Sequence, residues 1–179
     1  SALALELGSD VPFLLRGGAA LGRGRGELLE VLPSLSGSWL VLAAPSIELE
    51  RKTAQLYGAL RSEDFSDGSR IERVASSLEA GRRPNIDDLA NAFERPLAEL
   101  LPEIALLRAA LLVAGAPFVA LSGAGPAHYT IVPELRSALE IVNRLGTERP
   151  FPMRILVARP VGCGPLIRGE KTIESFETL

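Results

Sequence analysis

The sequence predicts an α+β domain built on a split βαβ unit, a four-stranded antiparallel sheet with helices on one face. Two observations carry this. Between Ser38 and Pro160 the apolar patterns run strand, several helices, strand, strand, helix, strand. With the helices after the first strand taken as one crossover, the order is βα-ββ-αβ, the ferredoxin-like pattern. The two middle strands are parted only by the small-residue turn Ser122-Gly-Ala-Gly-Pro126, as in a hairpin. Residues 1–34 fall outside this unit and look like the end of a preceding domain. Residues 35–160 hold the unit, and residues 161–179 form an extension.

Taken in order, "SALALELGSDVPF" reads as the tail of a helix followed by a loop and a strand. The chain opens on Ser1 and its first element has no room to start. It is therefore expected to be part of a longer protein, with Ser1 and Ala2 the remnant of a cleaved tag. "VPFLLRGGAALGRGRGELLEVLP" reads as strand, turn, strand, with corners at Gly17-Gly18 and at Gly22 to Gly26. Ser36 to Pro45 is a short apolar run ended by proline, hence a buried strand. Glu50 to Arg61 places Ala54, Tyr57 and Leu60 at helical spacing. "SEDFSDGS" is a loop. "RIERVASSLEAG" puts Ile71, Val74, Ala75 and Leu78 on one face, with Gly81 as a stop. "NIDDLANAFERPL" suggests a short capped helix broken before Pro96. Leu101 to Pro117 is a long apolar helix closed by Gly115. Strands follow at Phe118–Leu121 and His128–Val132. A helix with the stripe Leu135, Ala138, Leu139 and Val142 ends at Gly146, and Met153 to Pro160 is the last strand. The polar, Gly-rich run from Val161 to Leu179 yields no firm element.

Composition narrows the function classes. The chain is 47% apolar and 23% charged, which suits a globular fold rather than a disordered tail. The net charge of −3, with arginines and acids interspersed, offers no basic field for nucleic acid. No apolar run reaches the roughly 18 residues a membrane span needs. No basic n-region and cleavage site mark a signal peptide. One cysteine and one histidine make a poor metal site, so no protein-bound metal is expected. The expectation is a cytoplasmic protein.

Several residues are candidates for chemistry. In "FVALSGAGPAHYTIV" successive small residues let backbone N–H groups converge on an anion, and the Ser122 hydroxyl adds a donor. The same spacing suits a hairpin turn that holds nothing. "GRGRGE", Gly22 to Glu27, tempts a phosphate-loop reading. Only "ELLEVL" separates it from Pro33, which leaves no helix for such a loop to open, so a turn between strands is expected. Asp10 can cap a helix, bind a metal ion through solvent, or accept a substrate proton; for a lone aspartate the cap is the commoner role. A lone histidine such as His128 is more often structural, and most tyrosines placed like Tyr57 simply pack. Cys163 has no evident activating base and is given no catalytic role.

Five segments occur in a telling order: "LGSDVPF" (Leu7–Phe13), "GRGE" (Gly24–Glu27), "KTAQLY" (Lys52–Tyr57), "NAFE" (Asn91–Glu94) and "LSGAGP" (Leu121–Pro126). On them the chain, over residues 3–160, resembles the C-terminal two-thirds of a member of the GHMP kinase superfamily. The Ser-Gly-x-Gly turn alone points to the superfamily. "LGSDVPF" with the Gly-Gly corner and "GRGE" points to the branch that phosphorylates the 2-hydroxyl of a cytidine diphosphate methylerythritol. The resemblance implies a ferredoxin-like C-terminal domain, and residues 1–34 as the remnant of the ATP-binding domain before it. It implies Asp10 as the base or orienting group for the substrate hydroxyl. Ser122, Gly123, Ala124 and Gly125 match a glycine-rich loop close to the ATP phosphates. Tyr57 matches an aromatic position stacked on the substrate cytosine, with Thr53 beside it. ATP with Mg2+ is the implied co-substrate and a small molecule the implied partner, with neither nucleic acid nor membrane. A homodimer is open through the exposed edges of residues 1–34.

There are departures from the family pattern. The catalytic lysine segment and the main ATP loop, Pro-x-x-x-Gly-Leu-Gly-Gly-Gly-Ser-Ser, have no match in these 179 residues. Ala124 stands where Ser is commoner, which removes a hydroxyl and keeps the backbone shape. The run beyond Pro160 exceeds the family's length. These 179 residues by themselves are therefore expected to be inactive. Two other readings stay open, a non-catalytic binding module derived from this domain and a kinase for a different alcohol.

Overall fold

In the computed structural model, which describes residues 2–162, the sheet has the expected order. Strands β3 (Trp39–Pro45), β4 (Ala120–Leu121), β5 (His128–Val132) and β6 (Met153–Ala158) lie β4-β5-β3-β6, every neighbouring pair antiparallel. Trp39 pairs with Val132 and Ala43 with His128 on one side of β3; Leu40 pairs with Ala158 and Pro45 with Met153 on the other. This is the split βαβ arrangement, and the chain is α+β.

Alternation along the strands sets which face is core. Val41, Ala43, Val132, Ile155 and Val157 face one way. They meet helices α3 (Lys52–Gly58), α5 (Glu94–Leu100), α6 (Ile104–Val113) and α7 (Leu135–Thr147) through Leu56, Leu97, Leu107, Leu111, Ile141 and Leu145. A separate cluster joins Leu21 and Leu32, from the hairpin of β1 (Ala19–Arg23) and β2 (Leu28–Leu32), to Ala75 and Leu78 of α4 (Ser69–Glu79). The segment "GRGRGE" is the turn and edge of this hairpin, with the Glu27 carboxylate accepting from the Arg25 N–H at 2.6 Å. Among the described residues no helix is long and apolar enough to cross a membrane.

Four local expectations are corrected. The N-terminal part holds helices α1 (Ala2–Leu7) and α2 (Val11–Arg16), so Val11–Arg16 is not a strand. Six mostly apolar residues fit either structure by pattern. Pro12 sits in the first helical turn, where its missing N–H has no partner to lose, and the Gly17 N–H closes the helix on the Phe13 carbonyl. Pro96 does not break a helix but lies in the first turn of α5, for the same reason. Gly146 lies inside α7, which runs on to Thr147. Strand β4 is two residues long, Ala120–Leu121, and the Val119 carbonyl before it accepts from the Arg108 guanidinium at 2.9 Å. Cys163 and the residues after it lie outside the described residues.

An ion-pair network ties the end of α3 to α5. Arg95 donates from Nε to Asp64 Oδ1 at 2.7 Å, from Nη2 to the Ala59 carbonyl at 2.7 Å, and from Nη2 to Asp64 Oδ2. It also pairs with Glu99 at 2.9 Å. The Arg95 hydrogen bonds, helped by the Arg61 N–H, hold the Asp64 carboxyl down at about 2, against 3.8 ordinarily. A carboxyl lowered by folding contributes stability that is fully present above its unfolded value and lost as pH falls toward the folded one. Arg95→Met is therefore expected to lower the melting temperature at pH 7, with the deficit against wild type shrinking between pH 4 and 2. Thermal melts across that range check this; a deficit independent of pH would show that Asp64 is not the partner that matters.

Candidate functional site

The link between β4 and β5 continues the hairpin by one rung, Ser122 N–H to the Ala127 carbonyl at 2.9 Å, and then turns. Gly125 N–H closes the turn on the Ser122 carbonyl at 2.8 Å. Gly123 and Gly125 have φ of 55° and 61°, the left-handed region that glycine enters without penalty. Gly125 is needed for space as well. A Cβ there would lie 2.7 Å from Leu121 Cδ1 and 2.8 Å from Leu97 Cδ2, both in the core.

The polar groups of this loop are used unevenly. Most of its carbonyls are taken by donors of the protein, while that of Ala124 accepts no hydrogen bond among the described residues. Asn91 Nδ2 donates to Leu121 O at 3.3 Å and to Gly123 O at 2.8 Å. Lys52 Nζ donates to Gly125 O, and His128 Nδ1 lies 2.9 Å from Pro126 O. Among the described residues, the N–H groups of Gly123 and Ala124 make no hydrogen bond. The loop thus presents two unbonded N–H groups on successive residues, with the carbonyls of Ser122, Gly123 and Gly125 bonded, a surface suited to an anion. The Ser122 side chain is exposed, and Ala124 rests against the core.

Lys52 opens α3, so the same helix brings Thr53 and Tyr57 to the neighbourhood of the loop. Leu56 buries the helix into the core, which leaves Thr53 and Tyr57 turned outward; Tyr57 is 63% exposed. Its ring meets the edge of Phe93, with centroids 5.0 Å apart and planes at 85°. Phe93 N–H in turn donates to Asn91 Oδ1 at 2.9 Å. Tyr57, Phe93, Asn91, the loop and Lys52 are therefore one connected set. The sequence pattern contained Lys52, Asn91 and Phe93 within "KTAQLY" and "NAFE", but no role for them could be read without the contacts.

Asp10 stands apart from this set. It precedes α2 without a side-chain cap bond, is exposed, and its carboxylate accepts from the Ser9 hydroxyl at 3.4 Å. Among the described residues no hydrogen bond or ion pair joins it to the loop or to α3. His128 is buried, and its Nδ1 donates to the Pro126 carbonyl; burial, opposed by that bond, pushes the imidazole below its ordinary value. A neutral Nδ1–H ring pinning the end of the loop is a structural role. Burial first, and then Glu94, pushes the Tyr129 phenol up, so it stays protonated. A cleft of about 840 Å³ lies to the side, lined by Asp64, Arg70, Asn91, Arg95, Arg108 and Val119 among others. It contains none of Asp10, Thr53, Tyr57 or Ser122–Gly125, and it touches the connected set only through Asn91. No group of three His, Cys, Asp or Glu side chains that could hold a metal ion gathers among the described residues.

Comparison with known proteins bears on the family and the fold. Residues 74–149 match the model of the GHMP kinases C terminal family. A 4-diphosphocytidyl-2-C-methyl-D-erythritol kinase from Dehalococcoides mccartyi is 39% identical over 141 residues, covering 78% of this chain and 49% of that protein. A crystal structure of a 4-(cytidine 5'-diphospho)-2C-methyl-D-erythritol kinase superposes with a TM-score of 0.67 at 32% identity, over 82% of this chain and 52% of that one. A homoserine kinase from Cytophaga hutchinsonii, 16% identical, superposes with a TM-score of 0.60 over 86% of this chain and 51% of its own, and shares the fold. The chain spans about half the length of the curated relatives it matches.

Proposed function

The chain carries the C-terminal domain of the GHMP kinases, and we propose that it is part of an ATP-dependent kinase for the 2-hydroxyl of 4-diphosphocytidyl-2-C-methyl-D-erythritol. Such a step belongs to the non-mevalonate supply of isoprenoid precursors, in the cytoplasm. The observation that carries the reading is the loop at Ser122–Gly125. Among the described residues its Gly123 and Ala124 N–H groups make no hydrogen bond while the carbonyls of Ser122, Gly123 and Gly125 are bonded, and it is tied through Lys52 to the helix that bears Thr53 and Tyr57. Residues 1–34 are proposed as the end of the ATP-binding half, residues 35–160 as the C-terminal domain, and the residues beyond as an extension.

In this reading the γ-phosphoryl group passes from ATP to the 2-hydroxyl oxygen. A new O–P bond forms, the bond to the β,γ-bridging oxygen breaks, and ADP leaves. The hydroxyl proton goes to the Asp10 carboxylate, which also orients the oxygen for in-line attack. The Gly123 and Ala124 amides, with the Ser122 hydroxyl, hold phosphate oxygens without needing a side-chain charge. Tyr57, already edge-on to Phe93, offers its ring face to the cytosine, with Thr53 one turn away on the same helix. Mg2+ bound to the triphosphate would supply charge neutralisation. Among the described residues no group of three His, Cys, Asp or Glu side chains gathers to hold it.

Base stacking on an aromatic ring is worth about 1–3 kcal/mol by alanine substitution. In the full reading frame that carries this chain, Tyr57→Ala is expected to raise KM for the cytidine substrate about 10- to 100-fold, within that range. KM for ATP should hold, and Tyr57→Phe should behave like wild type. Steady-state kinetics with both substrates varied checks this. Failure of the wild-type enzyme to phosphorylate the cytidine substrate would overturn the function. Equal changes in both KM values would remove Tyr57 from the cytosine.

A further inference from the structure

The hydrogen bonds of Asn91 reach further than the start of α5. Its Oδ1 accepts from Phe93 N–H two residues on, an ordinary local turn. Its Nδ2 instead spans 30 and 32 residues to donate to Leu121 O and Gly123 O, on either side of Ser122. In a planar trans peptide the carbonyl of one residue and the N–H of the next point in opposite directions. Drawing Gly123 O toward Asn91 therefore aims the Ala124 N–H away from it. In the same way Gly125 N–H, bonded to Ser122 O, aims the Gly123 N–H. The unpartnered amides of Gly123 and Ala124 thus belong to peptide planes held by their carbonyls, the Ala124 plane by Asn91. Lys52, bonded to Gly125 O, holds a plane that has no N–H to offer, because Pro126 follows.

We propose that Asn91 is the positioning residue of this loop. It withdraws the Leu121 and Gly123 carbonyls from the anion and turns the Ala124 N–H toward a phosphate oxygen of the bound nucleotide. The inference rests on the kinase reading. It assigns a part to the "NAFE" segment that similarity to the family does not supply. A free carbonyl at this position would present its negative end to the phosphate, so the loop needs the Asn91 donors even though Asn91 need not touch substrate.

The test separates the two functions of the side chain. Asn91→Asp has the same shape and keeps an oxygen for Phe93 N–H, but replaces the donor by an acceptor facing two carbonyls. Asn91→Ser removes the donor without adding charge and can still accept from Phe93 N–H, which guards against a variant that fails to fold. Both are made in the full reading frame that carries this chain. Calorimetric titration is run separately with MgATP and with the cytidine substrate. The expected result is an ATP Kd raised about tenfold or more, as loss of a hydrogen bond to a charged group implies, with the Kd for the cytidine substrate unchanged. An ATP Kd equal to wild type in both variants, or equal losses for both ligands, overturns the role of Asn91 and leaves the kinase reading standing. A wild type that binds the cytidine substrate but no ATP overturns the kinase reading and this proposal with it.

Discussion

Asp10→Asn in the full reading frame is expected to lower kcat by about 10²–10⁴-fold, the usual worth of general acid–base catalysis, with both KM values and the melting temperature near wild type. The substitution keeps size and shape and removes the capacity to take a proton. It also separates the two roles open to an aspartate before a helix. Asparagine caps a helix as well as aspartate does, so a purely structural Asp10 would tolerate the change. A small stability effect is expected because the carboxylate makes no cap bond to α2 and, among the described residues, hydrogen-bonds with Ser9 alone. There is little folding energy for the variant to lose. Steady-state kinetics beside thermal melts gives the answer, and a near-normal rate removes Asp10 from the reaction.

Gly125→Ala is the second large effect, and it acts on stability. The new Cβ would press on the buried Leu121 and Leu97 side chains at 2.7 and 2.8 Å, so their methyl groups must shift. Overpacking of this kind costs about 1–3 kcal/mol. The left-handed backbone adds about 1–2 kcal/mol for any residue with a Cβ. Gly123→Ala is the internal control. It has a similar φ of 55° but nothing within 4 Å of the added carbon, so only the backbone cost of about 1–2 kcal/mol applies. Urea denaturation of the two variants should rank Gly125→Ala as clearly less stable. Equal losses would mean that Leu97 and Leu121 repack around the methyl group. The comparison also bears on function, since Gly125 seats the loop on the core while Gly123 shapes its free side.

How much was legible in the chain differs by level. The sheet order followed from the sequence of apolar runs, because strands of four to seven residues and helices with a single buried stripe have different periods. Val11–Arg16 was not legible in this way. It is too short for a period to show, and Pro12 suits a first helical turn as well as a strand start. Pro96 misled for a related reason: a proline reads as a breaker unless the helix is known to begin two residues earlier. At the site, the glycine loop, Tyr57 and Asp10 could be picked out by type and order. Asn91 and Lys52 could not be given work, because their partners lie 30 to 73 residues away and are backbone oxygens, which leave no mark in the sequence.

The sequence by itself therefore determined the α+β class, the strand order and the small-residue turn between β4 and β5, since these depend on hydrophobic period and on where glycine is placed. Only the tertiary structure decided what that turn presents. Whether a backbone loop offers donors or acceptors depends on which carbonyls the rest of the fold has already bonded. Here Asn91, Lys52 and His128 occupy carbonyls around the turn, and among the described residues the amides of Gly123 and Ala124 are left unbonded.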